Sequence, residues 1–273
     1  MSIRPVKRIV QSTPTMEGAG VKLRRAFGFG DTAETDPFLL LDDFRNDRPQ
    51  DYLAGFPWHP HRGIETITYV LNGTVEHGDS LGNRGTLGSG DVQWMTAGRG
   101  IMHQEMPLGD AQGRMHGFQL WANLPSSLKM TAPRYQDVTP DQIPDVDLPG
   151  AHVRLIAGEA FGVVGPAQTR SPIFYAHVSL EPGATLDVPA PADHSAMTYA
   201  LRGPDEGVLT VFNGDGDEIH LDADDEPVEV LVLTGRPLRE PVARYGPFVM
   251  NTRDEVVQAF EDFQAGRMGA ITR

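Results

Sequence analysis

WHPHRGIETITYVLNG, residues 58–73, decides the fold of this chain together with a second stretch, GDVQWMTAGRGIMHQEMP, residues 90–107. The first carries His59 and His61, the second His103 and Glu105. In a β-strand, residues two apart share a face, so each pair aims both of its donors at the same space. One such pair is a common accident of a strand. Two pairs, separated by strands and glycine turns, predict a single enclosed ion. Counted along one continuous strand, His59, His61, Gly63, Glu65, Ile67, Tyr69 and Leu71 share a side. The ligand face then runs into an apolar one, which places the imidazoles inside a barrel mouth. Asn72-Gly73 predicts a hairpin turn in which Leu71 faces Thr74 and His77 falls on the side away from the ligands.

The chain has 273 residues, no cysteine and a formal charge of -14. That length accommodates two domains, and the expected division is 1–132 for a metal-binding barrel, 133–150 for a linker carrying Pro133, Pro140, Pro144 and Pro149, and 151–273 for a second barrel ending in a helix. The acidic balance argues against direct nucleic-acid binding, which needs clustered Lys and Arg. The lack of cysteine removes disulfides, thiolate ligands and a Cys nucleophile. MSIRPVKRIVQS lacks the apolar core of a signal peptide, and no stretch has the apolar length to span a bilayer, so a cytoplasmic, membrane-free protein is expected.

Outside the two decisive stretches the residues read as scaffold. Asp42-Asp43 reads as turn and surface groups, because neighbours on a strand face opposite ways. The glycines from Gly78 to Gly90 suit tight β corners, with no strand-glycine-helix context for a phosphate cradle. Thr68-Tyr69-Val70-Leu71-Asn72-Gly73 is echoed 130 residues later by Thr198-Tyr199-Ala200-Leu201-Arg202-Gly203. That offset puts Pro189 and Pro191 where His59 and His61 stand, so the second copy has lost its metal site. His194 and His220 read as ordinary polar residues. The acidic run from Asp215 to Glu226 lacks calcium-loop spacing and reads as a solvated hairpin rim. Thr252 with Glu255 forms a capping box, Val256, Phe260 and Phe263 make an apolar stripe, and Gly266 stops the helix.

HPHRGIETITYVLNG, GDVQWMTAGRGIMHQEMP, HGFQLWANLP and YGPFVMNT resemble the pirin family, a branch of the cupin superfamily, over nearly the whole chain. The resemblance implies an all-β fold of two tandem cupin (jelly-roll) barrels with a C-terminal helix, one metal in the front barrel and none in the rear. It implies iron as the usual metal. For bacterial members it implies quercetin 2,3-dioxygenase activity, and for animal members a role as a transcriptional cofactor acting through a protein partner. It also assigns the carboxylate ligand to the HxE pair, here Glu105, rather than to a glutamate placed like Glu65.

Three neutral imidazoles and one carboxylate suit Fe(II), Mn(II), Co(II), Ni(II) or Cu(II) and leave positions open for water, a phenolate or dioxygen; the resemblance makes Fe(II) the expected ion, with Mn, Co, Ni, Cu or Zn as alternatives. The expected centre is therefore His59, His61, His103 and Glu105, with Glu105 also the catalytic base that takes a flavonol proton. Glu65 and His116 are expected just behind the ligands. Phe56, Trp58 and Gln119 are expected to line the substrate pocket. The rival reading keeps the ion but makes it a redox sensor that alters affinity for a protein partner without turnover.

Overall fold

A computed structural model describes residues 2–269 of the chain. The strand-rich reading holds, and the long helix is Arg253–Gln264. Among the described residues no helix is long and apolar enough to cross a membrane.

The chain divides into two compact units. The rear unit comprises residues up to Thr13, Ala26–Leu39 and Val138–Leu238. Its large sheet runs in the order Val6–Gln11, Val208–Phe212, Ser195–Arg202, Val228–Gly235, Ile173–Leu180, Ala151–Ala157 and Asp145–Leu148. One face of that sheet turns Val153, Leu155, Ala176, Val178 and Val232 into a core shared with Val188 and Ile219. This is the alternation of a sheet with one buried face.

The front unit comprises Pro14–Arg25, Leu40–Asp137 and the chain from Arg239 on. Its small sheet has the order Phe56–His61, Ile101–Leu108, Thr74–Asp79 and Arg84–Leu87. The larger sheet is centred on Ile64–Asn72, flanked by Val92–Thr96 and His116–Asn123. The two sheets face each other across an interior, since the Thr68 hydroxyl of the large one reaches Glu105 of the small one at 2.7 Å.

Ile64–Asn72 and Thr74–Asp79 belong to different sheets, so Asn72-Gly73 is not the turn of a paired hairpin but the corner where the chain changes sheet. Gly73 holds φ +85°, and a Cβ there would press on the Leu108 carbonyl and the Met115 sulfur, which is why the corner takes glycine.

Both ends of the chain fall elsewhere than the division at 132 and 150 places them. Val6–Gln11 pairs with Val208–Phe212, and the closing helix lies in the front unit. Periodicity reports an element's type and buried face, but not which sheet edge it joins. The proline-rich stretch, expected as an ordered or semi-rigid linker, carries two strands, Arg134–Val138 and Asp145–Leu148, at the edges of two separate sheets. Edge positions tolerate the missing donors of nearby prolines. Asp42, read as a surface group, is buried and takes a bidentate pair of 2.7 Å contacts from Arg25.

The helix begins as its sequence requires. The Thr252 hydroxyl accepts from the Glu255 N–H at 3.3 Å, while the Glu255 carboxylate accepts from the Thr252 N–H at 2.9 Å. Its buried face is Val256 and Ala259, with Phe263 packed against Ala259, Met102, Phe248 and Met268. Phe260 is instead partly exposed and rests edge-on against Tyr245.

Candidate metal centre

The two short pairs meet on adjacent strands. His103 stands directly opposite His59 in the antiparallel ladder, so their side chains share a face. After a local bulge Glu105 comes opposite Phe56. His59 Nε2 lies 3.0 Å from His61 Nε2 and 3.0 Å from His103 Nε2.

That spacing discriminates between geometries. With metal–imidazole bonds of about 2.1 Å, two donors at a right angle sit about 3.0 Å apart, whereas a tetrahedral pair sits about 3.4 Å apart. The two spacings that His59 makes are therefore those of adjacent donors at right angles, and all three donor atoms lie within 4.8 Å of one another.

The tautomers agree with a cation at this point. His59 Nδ1 lies 2.9 Å from the Pro57 carbonyl, and a carbonyl only accepts, so Nδ1 carries the proton and Nε2 presents a bare lone pair. Burial lowers the pKa of His59 and takes those of His61 and His103 well below the usual imidazole value. All three are neutral at pH 7, as ligands must be. Among the described residues this is the group of three or more His, Cys, Asp or Glu whose donor atoms converge closely enough to hold a metal ion.

Glu105 lies beside this triad, outside the group of converging donor atoms. Its Oε2 is 4.0 Å from His103 Nε2, while Oε1 is held at 2.7 Å by the Thr68 hydroxyl. Thr68 Oγ1 is also 2.7 Å from Gln119 Oε1. One hydroxyl has one proton, so the second contact needs its own donor: either a protonated Glu105 or a Gln119 amide turned to offer its NH2. Burial pushes the Glu105 carboxyl up to about 7, against the pull of the Thr68 hydrogen bond.

The remaining expected site residues divide. Gln119 reaches the centre only through Thr68. Phe56 packs on the interior cluster of Val21, Phe44, Tyr52, Val70 and Val75. Trp58, one residue out of phase with His59, turns away to pack with Met102, Phe248 and Phe263, and does not line the ligand side. Glu65 faces away too, accepting from the Thr96 hydroxyl at 2.6 Å. The cause is Gly63, which at φ +82° ends one strand before the next begins at Ile64, so the alternation restarts and Thr68 rather than Glu65 looks toward Glu105. His116 sits with Arg45 at 3.2 Å and Asp43 at 3.6 Å, a separate polar cluster.

Three residues near the centre escaped the sequence reading. Thr68 is one. Trp121 meets His61 edge-on with ring centroids 4.9 Å apart; its position two residues beyond Gln119 was the available signal. His77 stands opposite Glu105 in the ladder, on the ligand face, and stacks on Tyr135 at 5.7 Å. It was misplaced because the hairpin assumed at Asn72-Gly73 does not exist.

Residues 20–122 match the family model described as Pirin, and residues 175–269 match the Pirin C-terminal cupin domain. The chain belongs to the pirin family. A pirin-like protein of Caulobacter vibrioides is 46% identical over 98% of this chain and 100% of its own length. Human pirin is 40% identical over 98% of this chain and 95% of its own. A crystal structure of quercetin 2,3-dioxygenase from Acinetobacter baumannii superposes with a TM-score of 0.89 at 35% identity, covering 99% of this chain and 100% of that one.

The second cupin of this pirin-family chain is built without the triad. Pro189 and Pro191 stand at the repeat positions of His59 and His61. Beside them the buried Arg4 guanidinium donates to the carbonyls of Pro191 at 3.2 Å, His194 at 2.9 Å and Asn213 at 2.5 Å.

Proposed function

We propose that this chain is a metal-dependent dioxygenase of the quercetin 2,3-dioxygenase type, which opens the central ring of a flavonol with O2 and releases carbon monoxide and a depside ester. The observation that carries the reading is the convergence of three neutral imidazoles, with His59 Nε2 3.0 Å from both His61 Nε2 and His103 Nε2, beside the buried Glu105 carboxyl. His59, His61, His103 and Glu105 would hold one divalent ion. A set of nitrogen and carboxylate oxygen donors without thiolate suits Fe(II), Mn(II), Co(II), Ni(II) or Cu(II), and the family resemblance points to Fe(II) among them. The Acinetobacter structure named for this activity, alike over its full length, supports the same reading.

When bound, the ion supplies Lewis acidity toward a phenolate and a route for electrons to dioxygen. The chain's own residues do the rest. Glu105, shifting from ligand to base, takes the proton of the flavonol 3-hydroxyl at Oε2, the oxygen that Thr68 leaves free. Thr68 fixes Oε1, so the carboxylate has one free oxygen facing the imidazoles. Trp121 braces the His61 ring from its edge.

The test loads the purified protein with Fe(II) under anaerobic conditions, adds quercetin and oxygen, and measures flavonol loss together with carbon monoxide. Stoichiometric release of carbon monoxide is expected. Full metal retention with no turnover on any divalent metal would replace this reading by the redox-sensor alternative, in which the ion alters affinity for a protein partner.

A further inference from the structure

The rear barrel keeps a cavity of about 540 Å³, within the roughly 300–1,000 Å³ range of small-molecule sites. Its inner wall is Ala200, Val208, Phe212, Leu221, Val228 and Val230, with Thr198 and Thr210 facing each other across adjacent strands. The internal repeat explains why space remains. Ala200 stands where the front barrel has Val70, fully buried in its core, and the smaller side chain leaves room. Thr198 stands where the front barrel has Thr68, whose hydroxyl binds Glu105. Thr198 is only 7% exposed and lines the cavity, and its hydroxyl, which bonds no described residue, opens onto that space. A hydroxyl set in an otherwise apolar wall and open to the cavity gives a ligand one directional hydrogen bond by which to be oriented.

The mouth of the cavity carries a different chemistry. Asp205, Asp222, Asp224, Asp225 and Glu226 are exposed around it, and none forms an ion pair among the described residues. The two cationic-type side chains of the lining are already engaged, Arg202 with Glu229 at 3.4 Å and His220 with Asp187 at 2.7 Å. A rim of one sign above low-dielectric walls concentrates the opposite charge.

We infer that the rear barrel binds a small amphipathic cation, an aryl- or alkylammonium whose charge meets the acidic mouth and whose far end carries a hydroxyl toward Thr198. The site is separate from the metal centre and does not depend on the dioxygenase reading.

Calorimetric titration of the full chain at low salt tests this with three probes: tyramine, phenethylamine and 3-(4-hydroxyphenyl)propionate. Tyramine is expected to bind one-to-one, at least tenfold tighter than the propionate and several-fold tighter than phenethylamine. Thr198→Val should erase the advantage of tyramine over phenethylamine while leaving phenethylamine unchanged. Asp222→Asn with Asp225→Asn, on the surface, should weaken both amines several-fold and flatten their salt dependence. Ala200→Leu should abolish binding with the front-barrel metal content unaltered. Equal affinity for all three probes, no binding of tyramine, or tyramine affinity indifferent to both Thr198→Val and the aspartate pair would each overturn the inference.

Discussion

Thr68 shows how one hydroxyl sets the chemistry of its neighbour. Its hydrogen bond favours the charged form of Glu105 while burial opposes it. Thr68→Val removes the favourable part, so the Glu105 pKa rises further and the acid limb of the activity profile moves to higher pH. A hydrogen bond to a charged group contributes about 1.5–3 kcal/mol, so turnover near neutral pH should fall roughly tenfold or more. A pH–rate profile of the variant checks both effects. The imidazoles give a second pH prediction. His59, His61 and His103 have folded pKa values below the ordinary 6.5, so below pH 6.5 the unfolded chain binds protons that the folded one does not. Metal-free protein should lose stability as pH falls through that range, each imidazole contributing up to about 1.4 kcal/mol per pH unit. Glu105, whose pKa is raised, works in the opposite sense, but it is one group against three. Melting temperatures of the metal-free protein against pH, compared with a His61→Gln variant of shallower slope, measure this. At this scale the three imidazoles were legible, because residue type and close spacing in two stretches single out His59, His61 and His103, which the fold brings together. Thr68 and Trp121 were not, since what distinguishes them is a partner on another strand.

The strands that carry the donors depend on a junction with no donor of its own. Gly63 has φ +82°, and a Cβ there would run into the Val249 carbonyl. Behind it the buried Lys129 ammonium donates to the Gly63 carbonyl at 2.9 Å, Asn123 Oδ1 at 2.7 Å and the Val249 carbonyl at 2.9 Å. Its pKa is lowered to about 8 by burial, and it remains charged at pH 7. Lys129→Met keeps the volume but strands three buried acceptors. It should cost roughly 2–4 kcal/mol and lower Tm by roughly 2–4 °C for each kcal/mol. Gly63→Ala should be worse and should also reduce bound metal, because the change of phase after His61 is what lets Thr68 face Glu105. Thermal melts with metal analysis of both variants separate a loss of stability from a loss of the site. The alternation within each strand was readable from sequence. The phase between strands was not, because one positive-φ glycine resets it, and the same failure misplaced His77 after Gly73.

Across the whole molecule the ends of the chain serve the opposite halves. The stretch from Arg239 on contains no proposed ligand, yet it belongs to the unit that holds them. It supplies the Asp262 carboxylate that pairs with Arg62 at 2.8 Å, next to His61, and the Val249 carbonyl bound by Lys129. A chain stopped after Leu238 should therefore lose its metal with all four candidate ligands intact, which metal analysis alongside circular dichroism will show. The two-cupin architecture was legible because long motifs carry it, whereas the exchange of termini was invisible, since strand pairing over some 200 residues leaves no local pattern. The most direct test of the central claim is metal stoichiometry after anaerobic Fe(II) loading and exhaustive dialysis, in the native chain and in His103→Ala. One equivalent in the native protein and less than about a tenth in the variant, an affinity loss of tenfold or more, is the predicted result. A full equivalent retained by His103→Ala would contradict a single ion held by these imidazoles.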